Sequence, residues 1–205
     1  ATPSAVKTST PPGPSPREVA IAGHLGDAVI ARDALASPDP AVRQLALGAL
    51  QRSGTLTAAD IAAALTDPYS GVRRRAVTLA ARHPHVDLLP LLDDPDPAVV
   101  EVAAWAAGEH ERVSDTVLHR LCALVTDATD PLVREAAVAA LGAIGDPRGL
   151  TAILAACGDK PAIRRRAVLA LAPFDGPEVE AALEAARNDR DWQVRQAAED
   201  VTPQA

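Results

Sequence analysis

Methionine is absent from this chain and aromatic residues nearly so, with two Trp, one Tyr and one Phe among 205 residues. A sandwich or barrel would need more aromatic and β-branched bulk than that to fill the space between its sheets. Ala, Leu and Val supply most of the 48% apolar content, a composition that suits slender, closely packed helices, so the expected fold class is all-α. Only two cysteines occur, Cys122 and Cys157. They lack CxxC spacing and lie in apolar helical runs, so buried free thiols are expected rather than a disulfide or a zinc site. No apolar run approaches the ~20 residues needed to cross a bilayer, and no charged-then-apolar leader opens the sequence. The expectation is a soluble, cytoplasmic domain without membrane contact. A chain with no Met is also expected to have had its initiating end trimmed.

Basic residues are outnumbered, 20 Lys plus Arg against 27 Asp plus Glu, and the net charge of −7 gives no global attraction to nucleic acid or anionic lipid. Nucleic acid is therefore not an expected partner. No GxxxxGK, GxSxG, HExxH or Rossmann glycine pattern is present, so no catalytic residue, metal site or cofactor is assigned.

What the chain does have is proline at its start and repetition after it. Residues 1–16, ATPSAVKTSTPPGPSP, carry five prolines among Ser, Thr and Gly and have little to bury, so they read as a flexible tail or linker. From there on, an apolar residue followed four later by Ala recurs as Val42/Ala46, Val72/Ala76, Val99/Ala103, Val133/Ala137, Ile163/Ala167 and Val194/Ala198, at spacings of 30, 27, 34, 30 and 31. Arg follows the apolar anchor at Arg43, Arg73, Arg134, Arg164 and Arg195, while Val100 takes that place in the third unit. A degenerate copy, VAIAGHLGD at 19–27, matches VAALGAIGD at 138–146.

Each unit opens with a helix start. Asp39-Pro40, Asp96-Pro97 and Asp130-Pro131 put a capping carboxylate before a proline that needs no backbone donor, and Lys160-Pro161 keeps the proline alone. Apolar residues at the anchor, +4, +7 and +8 share one face of a helix about 12 residues long. Gly or Pro ends it, as at Gly54, Pro84 and Gly145, and a second apolar helix precedes the next unit: LTAADIAAALTD, HVDLLPLLDD, VLHRLCALVTD, GLTAILAACGD and EVEAALEAARND. Two helices per ~30 residues cannot enclose a core alone, so neighbouring units must stack.

This pattern resembles HEAT repeats, specifically the short bacterial type called PBS-lyase HEAT-like, over about residues 17–203. The resemblance implies a right-handed α-solenoid of about six HEAT-like helix pairs, the first beginning near Asp27, preceded by an orphan helix at 16–25. It also implies a ladder along the stack, in which the Arg after each anchor meets an Asp between the helices. Asp67, Asp94, Asp127, Asp159 and Asp189 are the matching acids, and the ladder is expected to break at Val100. Trp192 and the polar end EDVTPQA read as a terminal cap.

If the second helix of each pair faces inward, as the resemblance implies, residues at +2, +6 and +9, about 200°, 240° and 180° from the anchor, line the concave side. The +2 row reads Gln44, Arg74, Glu101, Glu135, Arg165, Gln196, and the +6 row Gly48, Thr78, Trp105, Ala139, Leu169, Asp200. Trp105 among small neighbours is a candidate hot spot for a peptide or protein, or else a filler lying sideways between repeats. The Arg73-Arg74-Arg75 and Arg164-Arg165-Arg166 triplets suggest phosphate clamps, but Arg74 is expected to pair with Glu101 and Arg165 with Glu135, neutralising the groove. His83 and His110, flanked by His85, Glu109 and Glu111, gather near one turn edge without a metal-binding spacing.

The reading is a non-enzymatic scaffold or adaptor that binds a partner polypeptide on its concave face through Arg74, Thr78, Glu101, Trp105, Glu135, Ala139, Arg165 and Leu169. The resemblance also implies alternatives: chromophore handling, as in E/F-type phycobilin lyases, and, less favoured, nucleic-acid binding, as in HEAT-like alkylpurine DNA glycosylases. The iron chemistry of HEAT-like deoxyhypusine hydroxylases is not carried over, because their His-Glu pairs occur here once, at His110-Glu111.

Overall fold

The computed structural model describes residues 13–110 and 112–201, and every described regular element is helical. The tail expected over residues 1–16 lies mostly outside the described residues, but its end does not. Ser15 caps the first helix with a reciprocal bond to Glu18, closing a capping box. The chain divides into two compact units, 1–57 and 58–205.

Within the first unit, α1 (Pro16–Leu25), α2 (Ala28–Asp33) and α3 (Pro40–Arg52) pack around Val19, Ala31, Val42, Ala46, Ala49 and Leu50. α1 is the expected orphan helix. Gly23 lets it approach α3 so closely that a Cβ there would stand 2.9 Å from the Ala49 backbone.

The second unit alternates the two helices of each repeat. α4 (Ala58–Ala64) precedes α5 (Ser70–Ala80), α7 (Asp115–Asp127) precedes α8 (Pro131–Ile144), α9 (Leu150–Ala156) precedes α10 (Pro161–Ala170), and α11 (Pro177–Arg187) precedes α12 (Trp192–Val201). α6 (Pro97–Gly108) follows only a short 3-10 turn, Leu89–Asp93, where HVDLLPLLDD leads one to expect a full helix. Pro90 inside that segment removes a backbone donor and crowds the preceding turn. α5, α6, α8, α10 and α12 pack in succession, each on the next. The anchors Val72, Val99, Val133, Ile163 and Val194 and the Ala four residues after each are buried, which confirms the repeat phase. Asp96 and Asp130 accept from the backbone of Ala98 and Leu132, and Gly145 turns the chain out of α8 at φ 66°.

The Arg–Asp ladder forms. Arg73 Nε meets Asp94 at 2.6 Å, Arg134 Nε meets Asp159 at 2.8 Å, and Arg164 meets Asp189 through two bonds of 2.8 Å. In each case the same guanidinium also donates to the carbonyl that opens its own repeat: Asp67, Ala128 and Asp159 respectively. One fork thus ties a repeat to the next and satisfies a helix-entry turn. Asp127, whose Arg is replaced by Val100, accepts instead from Thr126, so the ladder breaks where the sequence says it should.

The guanidiniums of Arg134 and Arg164 hold the carboxyls of Asp159 and Asp189 below the usual carboxylate range. A carboxyl lowered by folding adds stability that is complete above its unfolded value and lost as pH falls through its folded value. The urea midpoint should therefore drop as pH falls below about 4. Asp189→Asn should lower the midpoint at pH 7 and flatten this acid limb; an unchanged limb would refute the linkage.

Candidate functional site

The residues turned away from the core along α5, α6, α8 and α10 are those at +2 and +6. Arg74, Thr78 and Arg165 are exposed, Trp105 is 41% exposed, and Glu101, Glu135, Ala139 and Leu169 are half-buried. The +9 residues behave otherwise. A Cβ at Gly108 would stand 2.9 Å from the Ala140 backbone, and one at Gly142 would stand 2.7 Å from that of Ala170. The +9 position therefore faces the +7 position of the next helix instead of lining an open surface. A helix in a row has a flank on each side to bury as well as its core face, so its apolar arc is wider than for a helix packed on one side only.

Between α6 and α8 the row opens into a depression of about 540 Å³. Trp105 and Leu132 stand at its edges, while Val102, Ala136, Ala139, Ala140 and Ala143 make a floor of mostly small apolar side chains. Glu101, Glu109, Glu135 and Arg166 supply its charge. Four of the eight candidates gather here: Glu101, Trp105, Glu135 and Ala139. Arg74 and Thr78 lie on α5, and Arg165 and Leu169 on α10, outside the lining.

Neither expected ion pair across the row forms among the described residues. Glu135 is met instead by Arg166, at 3.4 Å. The reason is angular. The +3 residue, about 300° from the anchor, points back at the preceding helix, whereas +2 points out from the row. On α6 the +3 place is held by Val102, so no cation there reaches back toward α5. The neutralised groove expected from the sequence is thus not what the structure has: Arg74, Arg165 and the Glu101 and Glu109 carboxylates have no ion pair or side-chain hydrogen bond among the described residues. Arg74 does lie near enough to Asp96 to help lower that carboxyl, behind the larger effects of Ser70 and the Ala98 backbone.

Sequence reasoning missed Leu132, which is 54% exposed. A signal was available. The residue before each anchor reads Ala41, Gly71, Ala98, Leu132, Ala162 and Gln193, so Leu132 is the one bulky apolar side chain in a first-turn position that helix geometry leaves facing water.

A second depression, about 600 Å³, lies between α4 and the Leu89–Asp93 turn, where a shortened outer helix leaves space. Its Asp94 is already committed to Arg73, and no Trp, Tyr or Phe lines it. His110 is buried with Nε2 on the Ala80 carbonyl at 3.0 Å, and the Glu111 side chain lies outside the described residues. Among the described residues no group of three or more His, Cys, Asp or Glu side chains is placed to hold a metal. Both cysteines are free and half-buried rather than buried as expected, and desolvation pushes the Cys157 thiol up to about 11. No helix among the described residues is long and apolar enough to cross a membrane.

An all-α stack of helix pairs with a groove-like free face defines an α-solenoid repeat protein, and comparison with known proteins agrees. Residues 86–172, a stretch that includes every residue lining the depression, match the family model of HEAT repeats. A designed armadillo repeat protein in complex with the peptide (KR)4 is similar over 86% of this chain and 97% of its own, at 20% identity and a TM-score of 0.62. A second designed armadillo repeat protein matches over 86% and 98%, at 20% identity and a TM-score of 0.60. No curated protein matches the chain. Likeness at this identity shows the fold, an all-α solenoid.

Proposed function

We propose that this chain is a non-enzymatic interaction scaffold and that a partner polypeptide docks on the Trp105 depression. The observation that carries the reading is the pairing of two large apolar side chains, Trp105 and Leu132, each about half in water beside a floor of small residues. Such a wedge-and-floor arrangement is what an anchor side chain of a partner fills, and Trp is the commonest residue at energetic centres of interfaces. The partner segment would run along the row past Arg74 and Thr78 on one side and Arg165 and Leu169 on the other, with Glu101, Glu135 and Ala139 beneath it. The complex of a structurally similar armadillo design with a peptide supports a peptide as occupant.

The bacterial PBS-lyase type remains the finer family reading, and with it the bilin-handling alternative; adding an open-chain tetrapyrrole and recording its absorption tests that directly. Nucleic acid is left out because Arg74 and Arg165 are separated along the row by Glu101 and Glu135, which repel a phosphate backbone.

Peptides selected from a random display library against the chain test the reading. Trp105→Ala should weaken the selected peptides by about 30-fold or more, the loss of a hot-spot aromatic, while Trp192→Ala, at the start of α12, leaves them unchanged. Equal binding to parent and Trp105→Ala would place docking elsewhere.

A further inference from the structure

Four charged side chains stand along the free face of the helix row in the order Arg74 on α5, Glu101 on α6, Glu135 on α8 and Arg165 on α10. The cross-row pairing that would cancel them is absent among the described residues; Glu135 alone is engaged, at 3.4 Å by Arg166, which neutralises one of the three carboxylates lining the depression. Glu101 and Glu109 are left over on either side of Trp105, Glu101 one turn before it on α6 and Glu109 four residues after it at the cap that ends α6. The part of the face on α6 and α8 is therefore acidic and aromatic together, with a cation on the helix to either side.

We infer that the Trp105 depression takes the side chain of an Arg or Lys from an extended peptide segment, and that acidic residues about four positions to either side of that cation complete the recognition through Arg74 and Arg165. The inference rests on the docking reading above and adds to it the charge pattern of the ligand. A guanidinium or ammonium laid on the indole face is attracted by the ring quadrupole, and more strongly where the site removes water. Glu101 and Glu109 can each reach a cation so placed, since residues four apart share a helix face. The long aliphatic stem of either side chain would lie on Leu132, Ala136 and Ala139, covering apolar surface while the charged head stays with the carboxylates.

The spacing follows from the row. Adjacent helices lie about 8–10 Å apart, so each outer Arg stands about one and a half helix spacings, near 15 Å, from the centre. An extended chain advancing about 3.3 Å per residue covers that in four to five residues. The flanking arginines act as the repulsive element as well: a uniformly basic segment meets like charge at both ends, and that is what sets this face apart from a plain acidic groove.

Trp105 emission in a Trp192→Phe background reads the test, with nonapeptides on a Ser/Gly backbone as probes. The expected order is the peptide with central Arg and terminal Asp at both ends first, the same peptide with neutral ends about fivefold weaker, and that with Lys ends weaker again. A central Leu should cost at least about tenfold relative to central Arg. Glu101→Gln with Glu109→Gln should remove the advantage of central Arg over central Leu. Arg74→Glu with Arg165→Glu should invert the order of the ends, so that Lys-ended peptides bind better. If central Leu binds as well as central Arg, the cation assignment is overturned while docking at Trp105 stands. If the Lys-ended peptide binds tightest to the parent, the roles of Arg74 and Arg165 are overturned. If no probe changes Trp105 emission and library peptides ignore Trp105→Ala, the docking reading falls as well.

Discussion

Arg164→Ala should lower the unfolding free energy by about 3 kcal/mol, measured by urea denaturation at pH 7, the low end of what removing one partner of a buried ion pair costs. Arg164 is 7% exposed, the most buried arginine among the described residues. Its loss strips Asp189 of both guanidinium bonds and leaves the Asp159 carbonyl without its 2.8 Å donor. Asp189, whose side chain is 15% exposed, keeps a bond from the Asp191 backbone but would hold its charge in a place where little water reaches it. Arg195 is the internal comparison. It makes the same kind of bonds to the carbonyls that open its repeat, from Arg195 to Asp189 and Arg190, but is exposed and has no carboxylate partner among the described residues. Arg195→Ala should therefore cost under about 1 kcal/mol. Equal losses for the two variants would mean that the inter-repeat pair contributes nothing and that the entry turn alone is what the guanidinium holds.

That contrast also shows which parts of the molecule a one-dimensional pattern carries. The ladder, including its break at Val100, was legible because each Arg and Asp keeps a fixed offset from a buried anchor and the same packing geometry recurs in every repeat. The Asp-Pro starts and the Gly145 stop were legible for a similar reason, since they answer to donors and acceptors of their own helix. The pairing across the free face was not. Whether Arg165 or Arg166 meets Glu135 depends on about 100° of helix rotation relative to the neighbouring helix, and an anchor chosen by burial against the core does not fix the flanks. The +9 row was misplaced for the same reason: it was expected to line the concave side, whereas Gly108 and Gly142 stand where neighbouring helices approach most closely. At the site, Trp105 was found as the large member of a row of small ones. Leu132 obeys the same rule one position before the anchor, in a row whose members had no expected role. The short turn at Leu89–Asp93 was hidden because four leucines and a valine read as a buried helix whatever their dihedrals, and only Pro90 argued otherwise.

The second large effect is at one of those contacts. Gly142→Val should destabilise the chain by about 3 kcal/mol, the upper end of what overpacking costs. Even the first added carbon would stand 2.6 Å from the Ala170 Cβ and 2.7 Å from its Cα. Neither obstacle is the end of a flexible side chain, so α8 and α10 must separate. Gly142→Ala separates two terms of opposite sign. Alanine is the better helix former by about 1 kcal/mol, so if the helices could move apart freely the variant would gain stability. A net loss of about 1 kcal/mol is expected instead, because moving α10 away from α8 also stretches the Arg134–Asp159 and Arg166–Glu135 bonds that span that junction. Gly158→Ala, at an exposed position where a Cβ would meet only the Ala155 carbonyl at an ordinary 3.5 Å, should stay within about 0.5 kcal/mol of the parent. Because α8 carries Leu132, Glu135 and Ala139, a helix displaced at Gly142 would also reshape one wall of the depression. The affinity of any peptide held at Trp105 should therefore fall in Gly142→Ala more than in Arg195→Ala, although neither residue lines the depression. A Gly142→Ala chain as stable as the parent and unchanged in affinity would show that the close approach of α8 and α10 is incidental to both the stack and the site.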